Sequence, residues 1–204
     1  MYGKLPIFPN LGIFPFVRTP GKTRRLVGER VELLRHTREN YRLYEKWYGD
    51  PEIWYLTSWA ASPLSHSAVE RLFKDREHSI TDDSFAIHLR GEEEPIGVIS
   101  LMNISEANDS AELSVIVGHS EDRHHGYGAE AIGTLLDYAF GELDLNRVGL
   151  SVFEFNEDAI STYEKLGFRE EGRLRQALKR DGAFHDAILM SVLKTEWEAA
   201  DPRS

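Results

Sequence analysis

Cysteine is absent from the 204 residues of this sequence. That absence excludes disulfide bonds, thiolate metal sites and a cysteine nucleophile. No apolar run approaches the roughly 20 residues of a membrane-spanning helix. The first residues also lack the pattern of a secretory signal peptide, because Pro6, Pro9 and Pro15 interrupt their apolar stretch. We therefore expect a cytoplasmic protein that has no membrane partner.

The composition is that of one globular domain. Apolar residues make up 41% of the chain and charged residues 28%, and 204 residues suffice for one well-packed core but are few for two. The net charge of −10 is unevenly spread, because residues 1–48 carry ten basic and four acidic side chains and the remainder carries the acidic excess. An acidic body argues against a nucleic-acid partner. It favours cationic substrates such as amines, although solubility alone also explains it.

The first 25 residues differ in composition from the rest. Met1 to Arg25 is rich in proline and aromatic residues and holds five basic and no acidic side chains. Sequence interrupted by proline disfavours a helix. We expect an extended arm that lies over its own domain or over the partner subunit of a homodimer, with simple disorder as the alternative. The predicted organisation is an arm (1–25), one domain (26–198) and a short tail (199–204).

The segment after the arm predicts one strand and two helices. Charged and apolar residues alternate over 29–35, which indicates a strand. Helical spacing follows over 37–48. The aromatic segment 52–64 is expected to be irregular, and a second helix is expected to open with a capping box formed by Ser67 and Glu70.

Six further strands are predicted, with helices between the later ones. Those before the central loop would form an antiparallel meander, and the helix after the loop would return the chain as a parallel crossover. Asp181-Gly182 between two apolar runs is a strong hairpin signal. The predicted fold class is therefore α/β (mixed α+β), with one mixed sheet of about seven strands and helices on both faces. The six strands span residues 84–89, 96–103, 111–118, 147–153, 168–178 and 184–193.

A turn with two closely spaced glycines precedes the helix that follows the central loop. It runs from Arg123 to Ala129, and Gly126 and Gly128 let the backbone approach a ligand while the N–H groups of the helix start point outward. A phosphate or pyrophosphate suits such a cradle, although a plain tight turn has the same appearance. A mononucleotide P-loop does not fit, because no Gly-Lys-Ser/Thr follows. A Rossmann unit does not fit either, because the acidic residue about 20 positions on is missing.

A second motif lies about 30 residues further along the chain. Asn156 to Phe168 reads N-x-x-A-x-x-x-Y-x-K-x-G-F, with Asn156 as a good helix N-cap and Gly167 as a C-cap. Together with R-x-x-G-x-G from Arg123, it resembles the signature of the GNAT superfamily of acyl-CoA-dependent N-acetyltransferases. The resemblance covers roughly residues 26–195 and is strongest to the RimJ/RimL branch.

The resemblance implies acetyl-CoA as the cosubstrate and assigns it a binding region. The backbone of Ile116, Val117 and Gly118 would pair with the pantetheine arm like an added strand. The amide of Asn156 would reach the same arm. Relatives often carry a glycine where this chain has His124-His125. The pyrophosphate would be held by the loop residues Arg123, His124, His125, Gly126, Tyr127, Gly128 and Ala129.

Two residues are candidates for proton handling. In this family the amine attacks the thioester directly, so no nucleophile on the protein is required. Glu112 lies on the strand before the loop, where the family often places a catalytic glutamate, and is the candidate general base; an exposed structural carboxylate is the alternative. Tyr163 matches the tyrosine that faces the thioester sulfur in relatives and is the candidate general acid. A core aromatic residue is its alternative.

The predicted reaction is acetyl transfer from acetyl-CoA to a primary amine on a small molecule or a peptide. A non-catalytic acyl-CoA-binding sensor or scaffold stays open, as does transfer of a larger acyl group such as succinyl. Protein N-termini, polyamines, amino sugars and amine drugs all remain candidate acceptors. We expect no metal, since the mechanism needs none and no carboxylate accompanies His124 and His125 at ligand spacing.

Overall fold

The computed structural model describes residues 25–200. The predicted arm lies outside the described residues except for Arg25, and so does the predicted tail beyond Ala200. The described chain forms one eight-stranded sheet in the order β1-β2-β3-β4-β5-β6-β8-β7. Its strands are β1 (Leu26–Val27), β2 (Val31–Leu34), β3 (Asp83–Leu89), β4 (Pro95–Ser105), β5 (Ser110–Val117), β6 (Arg147–Phe153), β7 (Arg169–Arg180) and β8 (Ala183–Leu193).

The sheet confirms the predicted mixed fold but has one strand more than the seven predicted. The additional strand is β1, which pairs antiparallel with β2, Leu26 opposite Leu33. A strand of two residues has no alternation of its own, so the sequence pattern does not mark it. Every neighbouring pair is antiparallel except β5 and β6, which are parallel, as the predicted crossover requires.

Within the described residues the α-helices are α1 (Tyr41–Tyr48), α2 (Pro51–Thr57), α3 (His66–His78), α4 (Tyr127–Asp137), α5 (Glu157–Lys165) and α6 (Lys194–Ala200), and a π-helical turn, Tyr138–Glu142, continues α4. The segment predicted to be irregular instead contains α2. The Asp50 carboxylate accepts hydrogen bonds from the backbone N–H groups of Glu52 and Ile53, at 2.7 and 3.1 Å, and Pro51 fills the first helical position. The residues that end α1 therefore also start α2.

The predicted capping box at Ser67 and Glu70 is wrong. The N-cap of α3 is Ser65, whose side chain makes no capping hydrogen bond. Glu70 instead accepts from Lys74 at 2.7 Å, one turn further along the helix.

Helices cover both faces of the sheet, as predicted. Alternate strand residues enter different cores: Phe85 packs in the core that contains α4, and Ala86 packs in the core that contains α1 and α3. On β5 the same alternation puts Leu113 in the first core and Ile116 in the second. Glu112 shares the side of Ile116 by this alternation, so its carboxylate lies on the α1–α3 face.

Candidate active site

The parallel strands β5 and β6 diverge after three residue pairs. They pair at Ser110–Glu112 with Arg147–Gly149, and no further pair joins them in the described chain. On its other side, β5 stays paired with β4, and the Gly118 N–H donates to β4 at 2.8 Å. Because hydrogen bonding alternates along an antiparallel strand, the backbone groups of Val115 and Val117 face the gap. An open strand edge of this kind can pair with an extended ligand.

Two cavities meet in the gap between β5 and β6. The first, the loop cavity, has a volume of about 290 Å³ and extends to the glycine-containing turn. The second, the aromatic cavity, has a volume of about 300 Å³ and extends to Tyr48, Trp54 and Trp59. Because their linings overlap, a molecule in one cavity can touch a molecule in the other. The shared lining is Ile53, Leu56, Thr57, Val115, Ile116, Asn156 and Tyr163.

A larger cavity lies elsewhere on the described part of the molecule. It measures about 1120 Å³ and lies between the β1–β2 turn, the outer side of α4 and Trp197. Glu112, Asn156 and Tyr163 are not part of its lining. The candidate reaction site is therefore the smaller pair of cavities in the gap.

The predicted anion-binding turn contains two residues with a left-handed backbone. Gly126 has φ +82°, which glycine adopts without strain, and His124 has φ +62°, which a residue with a side chain adopts less readily. The Glu130 N–H donates to the Gly126 carbonyl oxygen at 3.0 Å and opens the hydrogen-bond ladder of α4. The N–H groups of residues 127–129 precede this bond, so they are free to meet an anion at the helix N-terminus.

Arg123 lines the loop cavity, but its guanidinium binds the protein itself. It donates to the carbonyl oxygens of Val117 and Gly118, each at 3.2 Å. It also donates to the Glu52 carboxylate at 3.0 Å. Arg123 thus ties the end of β5 to the start of α2, and the anion-binding groups of the turn are its backbone N–H donors.

Eight of the predicted cofactor residues line the loop cavity, and three line neither cavity. Gly118 packs against Trp47, where an added Cβ would lie 2.0 Å from the indole ring. The His125 carbonyl accepts from Arg30 at 3.1 Å, and the same guanidinium lies 5.1 Å from the centre of the Tyr127 ring. Arg30 therefore contacts the turn at His125 and Tyr127, whereas Gly118 packs against α1. The eight lining residues are Ile116, Val117, Arg123, His124, Gly126, Gly128, Ala129 and Asn156.

Tyr163 lines both cavities from α5. Its ring packs beside Phe168, with ring centres 5.7 Å apart, and its hydroxyl has no hydrogen-bond partner among the described residues. Burial raises the pKa of Tyr163 to about 12, because the phenolate is poorly solvated there. The hydroxyl therefore keeps its proton at neutral pH and can donate it to a group in the gap.

Asn156 is the N-cap residue of α5, as predicted, but its side chain makes no capping hydrogen bond. The side-chain amide instead donates to the Leu56 carbonyl oxygen at 3.2 Å. This hydrogen bond joins α2 to the start of α5 across the shared lining. The sequence predicted Asn156 as a site residue, but its contact with α2 depends on a helix that the sequence pattern did not reveal.

Glu112 lies in the lining of the aromatic cavity together with Tyr163. The side chain of Glu112 is exposed, and its carboxylate accepts from the Asn103 amide at 3.1 Å. Arg76, from α3, lines the same cavity and was not identified from the sequence. These two are the charged side chains among the described residues of that lining, which is otherwise aromatic, aliphatic or neutral polar.

Residues 25–200 show neither a metal-binding cluster nor a membrane-spanning helix. They contain no group of three or more His, Asp or Glu side chains placed to hold a metal ion. In the same range, every helix is too short or too polar to cross a bilayer.

Comparison with known proteins gives consistent matches. A sequence model of the acetyltransferase (GNAT) domain matches residues 30–169. YdaF of Bacillus subtilis (strain 168) is 39% identical over 102 residues, which are 50% of this chain and 55% of that relative's length. Spermidine N(1)-acetyltransferase of Vibrio cholerae is 28% identical over 143 residues, or 70% of this chain and 82% of that protein. The crystal structure of spermidine N-acetyltransferase from Vibrio cholerae in complex with CoA and spermine superposes with a TM-score of 0.75, at 26% identity over 83% of this chain and 98% of that one.

Proposed function

The chain belongs to the GNAT acetyltransferase family, and on this premise we propose that it transfers an acetyl group from acetyl-CoA to a primary amine. The observation that carries the proposal is the meeting of two cavities at Tyr163. One cavity has a helix N-terminus suited to a pyrophosphate, and the other has a carboxylate suited to an amine. A transfer reaction needs this arrangement, because donor and acceptor must be held in contact.

Acetyl-CoA would occupy the loop cavity. Its pyrophosphate would accept hydrogen bonds from the free N–H groups of residues 127–129, where the helix dipole also favours negative charge. Its pantetheine arm would pair with the gap-facing edge of β5, through Val115 and Val117 rather than through Ile116. The amide of Asn156, already bonded to Leu56, would close the far side.

The acceptor amine would enter from the aromatic cavity and attack the thioester carbon. An amine with a pKa near 10 is about 0.1% neutral at pH 7, a handicap of roughly 4 kcal/mol, so a base is useful. We assign that role to Glu112, acting directly or through water. The new C–N bond gives a tetrahedral oxyanion, for which a gap-facing N–H such as that of Val117 is a suitable donor. When the C–S bond breaks, the departing thiolate would take the Tyr163 proton.

Release of CoA across a panel of amines tests the proposal. The panel should contain a polyamine, an amino sugar, an α-amino peptide and simple alkylamines, with acetyl-CoA and succinyl-CoA as donors. Turnover of at least one amine with acetyl-CoA is the expected result. Tight CoA binding without any turnover would favour the non-catalytic sensor or scaffold, and faster transfer from succinyl-CoA would favour a larger acyl group.

We further propose that the acceptor is a small molecule, because the aromatic cavity has a volume of only about 300 Å³. We also propose that the protein is a cytoplasmic homodimer. Affiliation with the RimJ/RimL branch stays a prediction from the sequence motifs. The predicted dimer contact falls on the arm, outside the described residues. Deletion of residues 1–20 and light scattering test it, since an unchanged mass and activity would leave the arm without this role.

A further inference from the structure

Arg76 has an unusual set of contacts for a half-buried cation. Its guanidinium donates to the Tyr48 hydroxyl at 3.3 Å and lies 3.9 Å from the Met102 sulfur. It also lies 5.4 Å from the centre of the Phe73 ring. Within the described chain it forms no salt bridge with a carboxylate. A hydroxyl, a thioether and an aromatic ring leave part of its donor capacity and all of its charge without an anionic partner.

Other partly buried arginines nearby are paired with carboxylates. Arg35 meets Asp83 at 3.0 Å, and Arg123 meets Glu52 at 3.0 Å. The carboxylate next to Arg76 in sequence, Glu77, is instead bonded to the hydroxyl of Tyr41. Arg76 also lines a smaller cavity with Glu77, Asp82 and Asp83, but among the described residues no carboxylate lies within salt-bridge distance of it.

We propose that Arg76 binds a carboxylate of the acceptor, so that the substrate is an amine that also carries a carboxylate group. This inference rests on the proposed function, because it assigns the acceptor to the aromatic cavity. The guanidinium presents a planar fork of N–H donors that matches a carboxylate in two parallel hydrogen bonds. The acceptor would thereby be fixed at the end opposite its reacting nitrogen.

The charges of the cavity favour a carboxylate over a phosphate. Arg76 and Glu112 contribute one positive and one negative charge, and an ammonium with a carboxylate balances both. A phosphate dianion would leave an excess negative charge beside Glu112. A polyamine would instead place a second cation near Arg76, at a cost in affinity.

The position of Arg76 also limits the shape of the acceptor. Arg76 contacts Met102, and Met102 lies directly opposite Glu112 in the register of β4 and β5. The carboxylate of the acceptor must reach Arg76 and stay away from the like charge of Glu112, whereas its amine must reach Glu112 and the Tyr163 side of the same lining. An amine and a carboxylate several bonds apart, as in 6-aminohexanoate, meet these conditions better than the two groups on one carbon of glycine.

The experiment compares 6-aminohexanoate with hexylamine, which has a similar chain and no carboxylate. The measured quantity is the ratio of their kcat/KM values in CoA release, for wild type, Arg76→Gln, Arg76→Lys and Arg71→Gln. Arg71 is an exposed arginine on the same helix and lies outside both cavity linings, so it controls for loss of surface charge. A ratio cancels any general loss of activity or stability in a variant.

We expect wild type and Arg71→Gln to prefer 6-aminohexanoate about tenfold or more, Arg76→Gln to lose that preference and Arg76→Lys to retain part of it. A wild-type ratio near or below one, or a preference that survives in Arg76→Gln, overturns the inference. If neither amine is turned over, acetyl transfer to amines is in question, and calorimetric binding to the CoA-saturated protein decides instead. Tighter binding of 6-aminohexanoate than of hexylamine, lost in Arg76→Gln, would then support the carboxylate site, and equal binding would refute it.

Discussion

The amide of Asn156 donates to the Leu56 carbonyl oxygen, 3.2 Å away and 100 residues earlier in the chain. Because both residues line both cavities, this bond fixes the width of the passage between them. Asn156→Ala removes the donor, and we expect it to lower the free energy of unfolding by about 1 kcal/mol and to weaken acetyl-CoA binding. Urea denaturation and calorimetry measure the two effects. Asn108→Ala is the control, because its amide bonds only Ser105 in a remote turn, and equal acetyl-CoA affinities in all three proteins would contradict the prediction.

Tyr163→Phe removes the hydroxyl and keeps the ring. Burial holds the pKa of Tyr163 at about 12, so the wild-type residue stays protonated and able to act as the acid. We expect kcat to fall roughly 10–100-fold with acetyl-CoA affinity intact, because only proton donation is lost. Steady-state kinetics and calorimetry test this expectation. An unchanged kcat would leave Tyr163 as a packing residue of α5.

Glu112→Gln removes the candidate base and keeps both the size of the side chain and an oxygen that can accept a hydrogen bond from Asn103. The rate should fall most at low pH, where almost all of the amine is protonated, and recover in part as the pH approaches the pKa of the amine. The full pH dependence of kcat/KM is the required measurement. Asn103→Ala, which removes the amide that holds Glu112, should lower the rate less. A variant with the wild-type pH profile would assign Glu112 a structural role.

Gly128→Val tests the anion-binding turn. A Cβ at this position would lie 3.3 Å from Val117 Cγ2, and the branches of valine would extend into the loop cavity. We expect acetyl-CoA affinity to fall at least tenfold, about 1.4 kcal/mol. Gly133→Ala on the same helix is the control, since its Cβ would make an ordinary contact of 3.7 Å with Trp197. Gly126→Val is less informative, because φ at Gly126 is +82° and any side chain there strains the turn itself.

His36 provides a prediction about stability and pH. Burial, aided by the positive charges of Arg76 and Arg35, lowers the pKa of His36 to about 3. The imidazole of His36 takes up a proton near pH 6.5 in the unfolded chain, but only near pH 3 in the folded chain. The contribution of neutral, buried His36 to the free energy of unfolding is therefore complete above pH 6.5 and is lost as the pH falls toward 3.

The slope expected from His36 alone is up to about 1.4 kcal/mol per pH unit in that window. His36→Gln should unfold with a shallower dependence on pH than wild type, in urea titrations between pH 4 and 7. His78→Gln is the control, because His78 is exposed and its ring contacts only the Lys74 carbonyl oxygen among the described residues. If the free energy of unfolding has the same slope against pH in wild type and His36→Gln, His36 binds its proton at the same pH in the folded and unfolded chains, and the prediction is wrong.

Periodicity in the sequence predicted most of the sheet and the longer helices. The alternation of charged and apolar residues over 29–35 predicted β2, because successive residues of a strand point to opposite faces of the sheet. Periodicity did not reveal the short strand β1, nor α2, which lies largely in the segment predicted to be irregular. Local pattern carries less information as an element becomes shorter.

Long-range side-chain partners were beyond the sequence pattern. Arg123 was predicted at the turn and lies there, but its pairing with Glu52 spans 71 positions. Arg76 was missed because helical spacing marks the apolar face of α3 and does not show which polar side chain reaches a cavity. Such contacts depend on the relative placement of helices, which no local motif encodes.

The separation of the two linings has a consequence for divergence within the family. Residues found only in the aromatic lining come largely from positions 48–76, from the first half of β5 and from β6, whereas those found only in the loop lining come largely from positions 117–132 and 158–162. If the cavities bind acetyl-CoA and an amine as proposed, mutations in the first set change the preferred amine, and the second set continues to bind acetyl-CoA. The preferred acceptor can therefore change during evolution without an intermediate protein that no longer binds the acyl donor.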